Sequence, residues 1–398
     1  MRVVHCLFVA SLAAALLVHP ARGFDDPPDP ERGLWGVKLA AYRLAGHTKK
    51  ALEQRGEKRV VVGEITGPAS IESSSGGTSI QYELIRALEA AGITVDRKAP
   101  VEIKGDYVIR DEFQTLRVTI RLTDKNGDEV GAYRSEVGCS EEETVRLYGL
   151  TITRRMDTTG GALKTGTLMT EHFSRDDLKG SVEKPMVWVS GTEVRARKDS
   201  PYAVEVLVKD RADGLGVAIV PRVENGVAYA PIGRDQFYEV RVINRSEHEA
   251  AATLTIDGLD LFTFSDIRNE KTGEPKFRRL VFAKGQSYAV QGWYRTGERA
   301  DSFVVTSYAK SAAAEKLVKP SGRTGTITVT FAAAWNKKEG KPPADEPGWD
   351  RVKIAPGGKK ANGPGTGRGQ AVKTELQEAT SPYEYGVLRD VVTVRYAK

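Results

Sequence analysis

The hydrophobic positions change period along the chain. In residues 34–53, Trp35, Leu39, Tyr42 and Leu52 fall toward one side of a helical wheel, and an amphipathic helix is predicted there. Residues 59–65 (RVVVGEI) are an apolar run of strand length. Residues 67–79 are rich in Ser and Gly and predict a loop. Residues 80–91 (IQYELIRALEAA) predict a helix stopped by Gly92, and residues 93–96 a second short strand. Strand, loop, helix and strand make the minimal α/β crossover. Residues 106–110, 116–122 and 129–135 then read as strands, the last two joined by Asp124-Lys125-Asn126-Gly127-Asp128. The Asn-Gly pair predicts a hairpin with both central residues at positive φ.

Residues 141–150 place acids before an apolar face, as a helix dipole favours, and a second short helix is predicted at 170–178. Residues 141–185 as a whole read as a connector. After Pro185 the pattern is β almost throughout, with strands predicted at 186–189, 203–208, 216–220, 237–244, 251–256, 279–282, 288–293, 302–307, 324–331, 370–376 and 391–396. An alanine-rich helical insertion is expected at 307–317. Alternation in 238–243 and 324–331 implies that one face of each strand is solvated. The predicted fold class is therefore α+β: a small α/β sheet domain at 34–140, then an antiparallel β-sandwich at 186–398.

The strand at 59–65, the helix at 81–91 with Gly92, and the strand at 105–109 followed by the Asn126-Gly127 hairpin together resemble a known α/β domain. It is the one shared by envelope-assembly proteins: the curli-secretion channel, flagellar accessory lipoproteins and activators of penicillin-binding proteins. That resemblance implies an α/β fold and a role in the bacterial envelope. The second half, through Ser200-Pro201-Tyr202, Tyr238 to Asn244, Asp257-Gly258, Gly292-Trp293, Ser302-Phe303, Gly325-Thr326-Ile327 and Val394-Arg395-Tyr396, resembles a secreted β domain of uncharacterised bacterial envelope proteins. The second resemblance implies no activity.

The first residues sharpen this placement. Arg2 precedes an apolar run from Leu7 to Val18, and Ala21-Arg22-Gly23 puts small residues where a signal peptidase needs them, so residues 1–23 read as a signal peptide. Residues 24–33 are a proline-rich, flexible lead. Cys6 stands before the apolar run and is badly placed for lipid attachment, so a soluble exported chain, periplasmic or extracellular, is expected. Cys139 is then the one cysteine left, no intramolecular disulfide forms, and its surroundings suit a small buried hydrophobe better than a nucleophile.

Formal charge is +6, and +4 once Arg2 and Arg22 leave with the leader, which does not favour a nucleic-acid module. Much of the positive charge sits in residues 336–370, a stretch dominated by Gly, Pro, Lys and Ala that predicts a disordered basic insertion. Lys337, Lys338, Lys341, Lys359, Lys360 and Arg368 are its candidate binding residues, for an envelope protein or an anionic polymer; a solvated insertion is the competing reading. Trp293 and Tyr294, with Tyr288, Phe237 and Tyr238, offer a stacking surface for sugar or peptide, or fill the sandwich core.

Catalytic patterns are sparse. His47, His172 and His248 are widely spaced, no Gly-x-Ser-x-Gly occurs, and the run from Gly363 to Gly369 lacks the Lys-Ser/Thr of a phosphate loop. Ser73, Ser74 and Ser75 before Gly76 lie where helix amides would meet an anion, or in a plain connection. Asp124, Asn126, Asp128 and Glu129 imitate the start of a Ca²⁺ loop but suit a hairpin; Asp257, Asp260 and Asp266 lack a further ligand. No metal or other cofactor is expected. The reading is an exported, non-enzymatic binding or scaffolding protein of the envelope, the alternative being a hydrolase of envelope glycan or peptide that uses Asp257 and Asp260.

Overall fold

The computed structural model describes residues 31, 34–71, 74, 76–154, 173, 175–270, 272–319, 324–338, 340–346, 365–374 and 383–396. The predicted leader and almost all of the proline-rich lead lie outside these residues. The first part of the chain contains α1 (Gly36–Gln54), β1 (Arg59–Thr66), α2 (Gly76–Ala90), β2 (Thr94–Val95), β3 (Val101–Arg110), β4 (Thr115–Asp124) and β5 (Glu129–Gly138). Among the described residues the strands form a five-stranded sheet in the order β2-β1-β3-β4-β5, parallel around β1 and antiparallel from β3 onward.

Period-two alternation decides which side of this sheet is covered. Leu116, Val118, Ile120 and Leu122 of β4 point to the helices and are buried, whereas Arg117, Thr119, Arg121 and Thr123 face the other way. The helices α1 and α2 cover the apolar side with Ala40, Leu44, Ile80, Leu84 and Leu88. α2 begins at Gly76, inside the stretch expected to be loop. Gly76 can start it because a Cβ there would lie 2.5 Å from the Tyr107 ring, so only glycine admits that approach. The hairpin at 124–128 forms, but only Gly127 takes positive φ (89°). Asp124 Oδ1 accepts the amides of Asn126 (2.9 Å) and Asp128 (3.2 Å), and the register slips between Leu122 and Thr123; an Asx-stabilised turn with a bulge replaces the expected two-residue turn.

α3 (Glu141–Tyr148) follows with a capping box: Ser140 Oγ accepts the Glu143 amide (3.2 Å), and Glu143 Oε2 accepts the Ser140 amide (3.3 Å). The other Glu143 oxygen accepts the Val37 amide at the start of α1 (3.1 Å), so one carboxylate fastens two helix starts. Burial raises its pKa. β6 (Ile152–Thr153) and α4 (Arg175–Glu183) complete the middle stretch.

The second half contains β7 (Trp188–Ser190), β8 (Glu193–Arg195), β9 (Tyr202–Lys209), β10 (Val217–Ala218), β11 (Arg222–Glu224), β12 (Val227–Tyr229), β13 (Phe237–Asn244), β14 (Ala250–Ile256) and β15 (Leu259–Asp260). β16 (Leu280–Phe282), β17 (Ser287–Val290), β18 (Gly292–Thr296), β19 (Arg299–Thr306), α5 (Ala312–Glu315), β20 (Thr326–Asn336), β21 (Gly365–Lys373) and β22 (Tyr383–Arg395) follow. One sheet runs β18-β19-β13-β9-β8-β7, with β10, β17 and β21 attached; the other runs β11-β12-β22-β20-β14-β15, with β16 and β6 attached. Pairing is antiparallel except between β12 and β22. The sheets meet through side chains such as Tyr202 stacked on Phe331, centroids 4.9 Å apart.

Two expectations about these strands need correction. The threonine face of β20 is not solvated: Thr326, Thr328 and Thr330 are all buried, and α3 and Leu150 after it reach that face at Thr253 and Thr393, the partners of Thr330 and Thr328 in the neighbouring strands. The hydroxyls of Thr328 and Thr393 share a hydrogen bond (3.0 Å), and Thr393 donates to the Leu150 carbonyl (3.1 Å), whereas the Thr326 hydroxyl has no partner among the described residues. The outer face of β13 is likewise covered in part, and Glu239 there pairs with Lys209 at 2.8 Å. Second, residues 365–370, expected within the insertion, open β21 and pair with β19. Glycine here permits close packing rather than looseness, since a Cβ on Gly369 would sit 2.4 Å from Ser302 Oγ.

The described residues from Leu34 onward form one compact unit. The helical side of the first sheet turns toward the β region. Lys38 of α1 and Arg86 of α2 both bind Glu274, Gln81 Oε1 accepts the Lys319 amide (2.9 Å), Arg97 donates to the Ala314 carbonyl (2.6 Å) and Arg279 pairs with Glu142 (2.9 Å). The opposite side of the sheet carries none of these contacts except the pair Lys319–Glu102 (2.9 Å) at one margin.

Candidate functional site

Of the aromatic candidates, Trp293, Tyr294 and Tyr238 are core residues, and Tyr288 and Phe237 are half-buried. Trp293 is fully buried, edge-on to Phe264 and Phe303, and its indole N–H donates to the Gly367 carbonyl (3.2 Å). Tyr294 is buried against Phe262 and Phe277, and Tyr238 is buried against Phe303 and Tyr396. They offer no stacking surface, because β21 closes over Trp293 with its glycines.

Arg368 is not free to meet a ligand. Its guanidinium binds Asp301 Oδ2 through Nε (2.9 Å) and Nη2 (2.6 Å) and reaches Glu315 through Nη1 (2.5 Å). Asp301 also takes Arg295 (3.0 Å); Arg295 binds Asp266 (2.6 Å), and Asp266 takes Arg299 (2.9 Å). Acids and arginines alternate along this ladder and cancel in charge, and the bonds from Arg295 hold the Asp266 carboxyl below its usual range. The ladder ties β21 to β18 and β19. Beside it is a shallow open depression of about 460 Å³ lined by Thr296, Glu298, Arg299, Ala371, Val372 and Lys373, to which Glu298 brings the one carboxylate.

Of the remaining insertion candidates, Lys337, Lys338 and Lys341 are exposed, and Lys337 lies 3.5 Å from Glu384. Arg389 holds Asp345 (2.7 Å) and Glu346 (2.9 Å) just before the described residues pause. Lys359 and Lys360 lie outside the described residues.

The acids proposed for hydrolysis serve the fold. Asp257 is buried at positive φ (46°), and it accepts the amides of Gly325 (2.7 Å), Thr326 (3.1 Å) and Thr366 (2.6 Å) and the Tyr396 hydroxyl. Burial raises the Tyr396 phenol far above its usual range, so it stays a donor. Asp260 Oδ1 accepts the Phe262 amide (2.9 Å) in the next turn. Among the described residues no group of acids, histidines and cysteine is placed to hold a metal ion.

The Ser-Gly loop before α2 is also occupied. Tyr107 Oη accepts the Gly76 amide (2.9 Å), donates to the Leu147 carbonyl (2.9 Å) and shares a hydrogen bond with Ser74 Oγ (2.5 Å), where an anion would have to sit. Ser73 and Ser75 lie outside the described residues. Cys139 is buried, and desolvation with Glu143 nearby pushes its thiol up, away from thiolate chemistry.

What stays available is the open face of the first sheet, which the sequence reading passed over. The register places Lys104 opposite Arg121, Thr119 opposite Arg134, Arg117 opposite Glu136 and Arg110 opposite Thr115. Lys104 is neutralised by Glu102 (2.9 Å) and Arg117 by Glu136. Arg110, Arg121 and Arg134 are exposed and, among the described residues, have no carboxylate partner. The signal was present as arginines at alternate positions in three neighbouring strands, but only the register brings them together.

No helix among the described residues is long and apolar enough to cross a membrane. No family model and no curated protein matches the chain. Among solved structures, the chain is similar to the LpoB C-terminal domain from Salmonella enterica, at 12% identity over 26% of this chain and 98% of that one, with a TM-score of 0.21. It is also similar to TolB from Acinetobacter baumannii, at 11% identity over 69% of this chain and 79% of that one, with a TM-score of 0.11.

Proposed function

We propose that the protein is exported and works in the bacterial envelope by binding or scaffolding rather than by catalysis. The observation that carries this reading is the open sheet face: guanidinium groups of Arg110, Arg121 and Arg134 stand on it without a carboxylate partner among the described residues, while the helical side of the same sheet is spent on contacts with the β region. Unpaired cations on a rigid sheet recognise and position a partner; they supply neither nucleophile nor general base. The hydrolase alternative rests on Asp257 and Asp260, which accept backbone amides in turns.

The test is to express the full chain with residues 1–23 in a bacterial host, determine the N-terminus of the exported product, and measure its sedimentation with isolated envelope material. A product starting at Phe24 that co-sediments and releases no sugar reducing ends or peptide amines is expected. Retention in the cytoplasm, or release abolished by Asp260→Asn, refutes the reading.

A further inference from the structure

We infer that the open face of the first sheet docks a linear acidic polysaccharide, whose carboxylates meet Arg110, Arg121 and Arg134. This rests on the envelope-binding reading and adds the class of ligand. Like charges on neighbouring strands work against a sheet, yet Arg134 of β5 is diagonal to Arg121 of β4. A bound anion relieves that repulsion. Arg110 pairs with Thr115, six positions along β4 from Arg121, so the free guanidiniums spread over about 20 Å, a reach that suits a chain of repeated charges rather than one small anion.

Three features select a sugar polymer among polyanions. Thr115, Thr119 and Thr123 alternate with Arg117 and Arg121 along this face of β4 and supply hydroxyls that donate and accept. Asp106 and Glu136 share the face and accept hydrogen bonds from sugar hydroxyls, donors that a polyphosphate chain lacks. Guanidinium forks match carboxylates in bidentate geometry.

The experiment uses the full chain with alginate as a linear polyuronate, dextran as a neutral polymer and inorganic polyphosphate, by calorimetry at low and at physiological salt. Alginate binding that weakens with salt is expected, with dextran inert and polyphosphate weaker. The triple variant Arg110→Gln, Arg121→Gln, Arg134→Gln should bind alginate on the order of tenfold more weakly. Its melting temperature should be no lower than wild type, because the removed groups are exposed and mutually repulsive. A second variant, Lys337→Gln, Lys338→Gln, Lys341→Gln, should bind as wild type does. Absence of alginate binding, equal binding by the Arg triple variant, or tighter binding of polyphosphate overturns the inference. A wild-type chain that ignores alginate yet still co-sediments with envelope material removes the ligand class and leaves the envelope reading standing.

Discussion

Asp390 gives a sharp handle on stability. Its side chain lies in β22 opposite Thr153 of β6, is 3% exposed, and accepts hydrogen bonds from the hydroxyls of Ser200 and Thr153. Burial dominates over those two hydrogen bonds and the nearby Arg197, and lifts the carboxyl from 3.8 to about 6. At 1.36 kcal/mol per pKa unit, the ionised group costs the fold about 3 kcal/mol. Because the folded state holds this proton more tightly than the unfolded chain, the contribution is fully present below about pH 4 and is lost as pH rises through about 6. Asp390→Asn keeps the shape and removes the titration. In urea unfolding, the variant should gain about 2 kcal/mol relative to wild type between pH 4.5 and pH 7.5. Carboxylates with lowered pKa, such as Asp266, Glu274 and Asp345, destabilise both proteins equally in acid and cancel in the difference. A difference between the two proteins that does not change with pH would sink the argument.

Trp293→Ala should cost about 3–5 kcal/mol in chemical denaturation, since it empties a site closed by Phe264, Phe303 and Gly367; a loss under about 1 kcal/mol would place that ring outside the core. Tyr107→Phe leaves the Gly76 amide and Leu147 carbonyl without their shared partner, and should cost about 1–3 kcal/mol; unchanged stability would mean that these groups pair elsewhere. Cys139 should resist maleimide in the folded protein and label fully in urea, whereas rapid native labelling would contradict its burial and raised pKa.

The α/β order was legible because β1 is a continuous apolar run and β4 alternates cleanly, so period alone set both elements and the inward side. Burial of the threonine face of β20 was not, because Thr at every second position looks the same under water and under a covering segment. What reaches it, Glu142 of α3 and Leu150, comes from more than 170 positions earlier. Glycine misled in residues 365–370 for a similar reason: Gly367 and Gly369 mark close contact between strands, not a loop. Lys337 to Arg368 drew attention by local density of charge, yet Arg368 spends its charge on Asp301 and Glu315. The free guanidiniums are separated in sequence and meet only through the pairing of β3, β4 and β5.

β22 has a consequence for the order in which the chain can fold. It lies between β12 and β20 and also receives β6, so strands that emerge far apart in time share one late partner. A chain delivered from its N-terminal side can build the first sheet early, since every strand of that sheet precedes residue 139. It cannot close the β12-β22-β20 sheet until residues 383–395 arrive, and until then β12 and β20 wait with unpaired edges. A ribosome releasing this polypeptide therefore hands over a finished head and an open tail, and a fragment ending before residue 383 keeps the tail open for good.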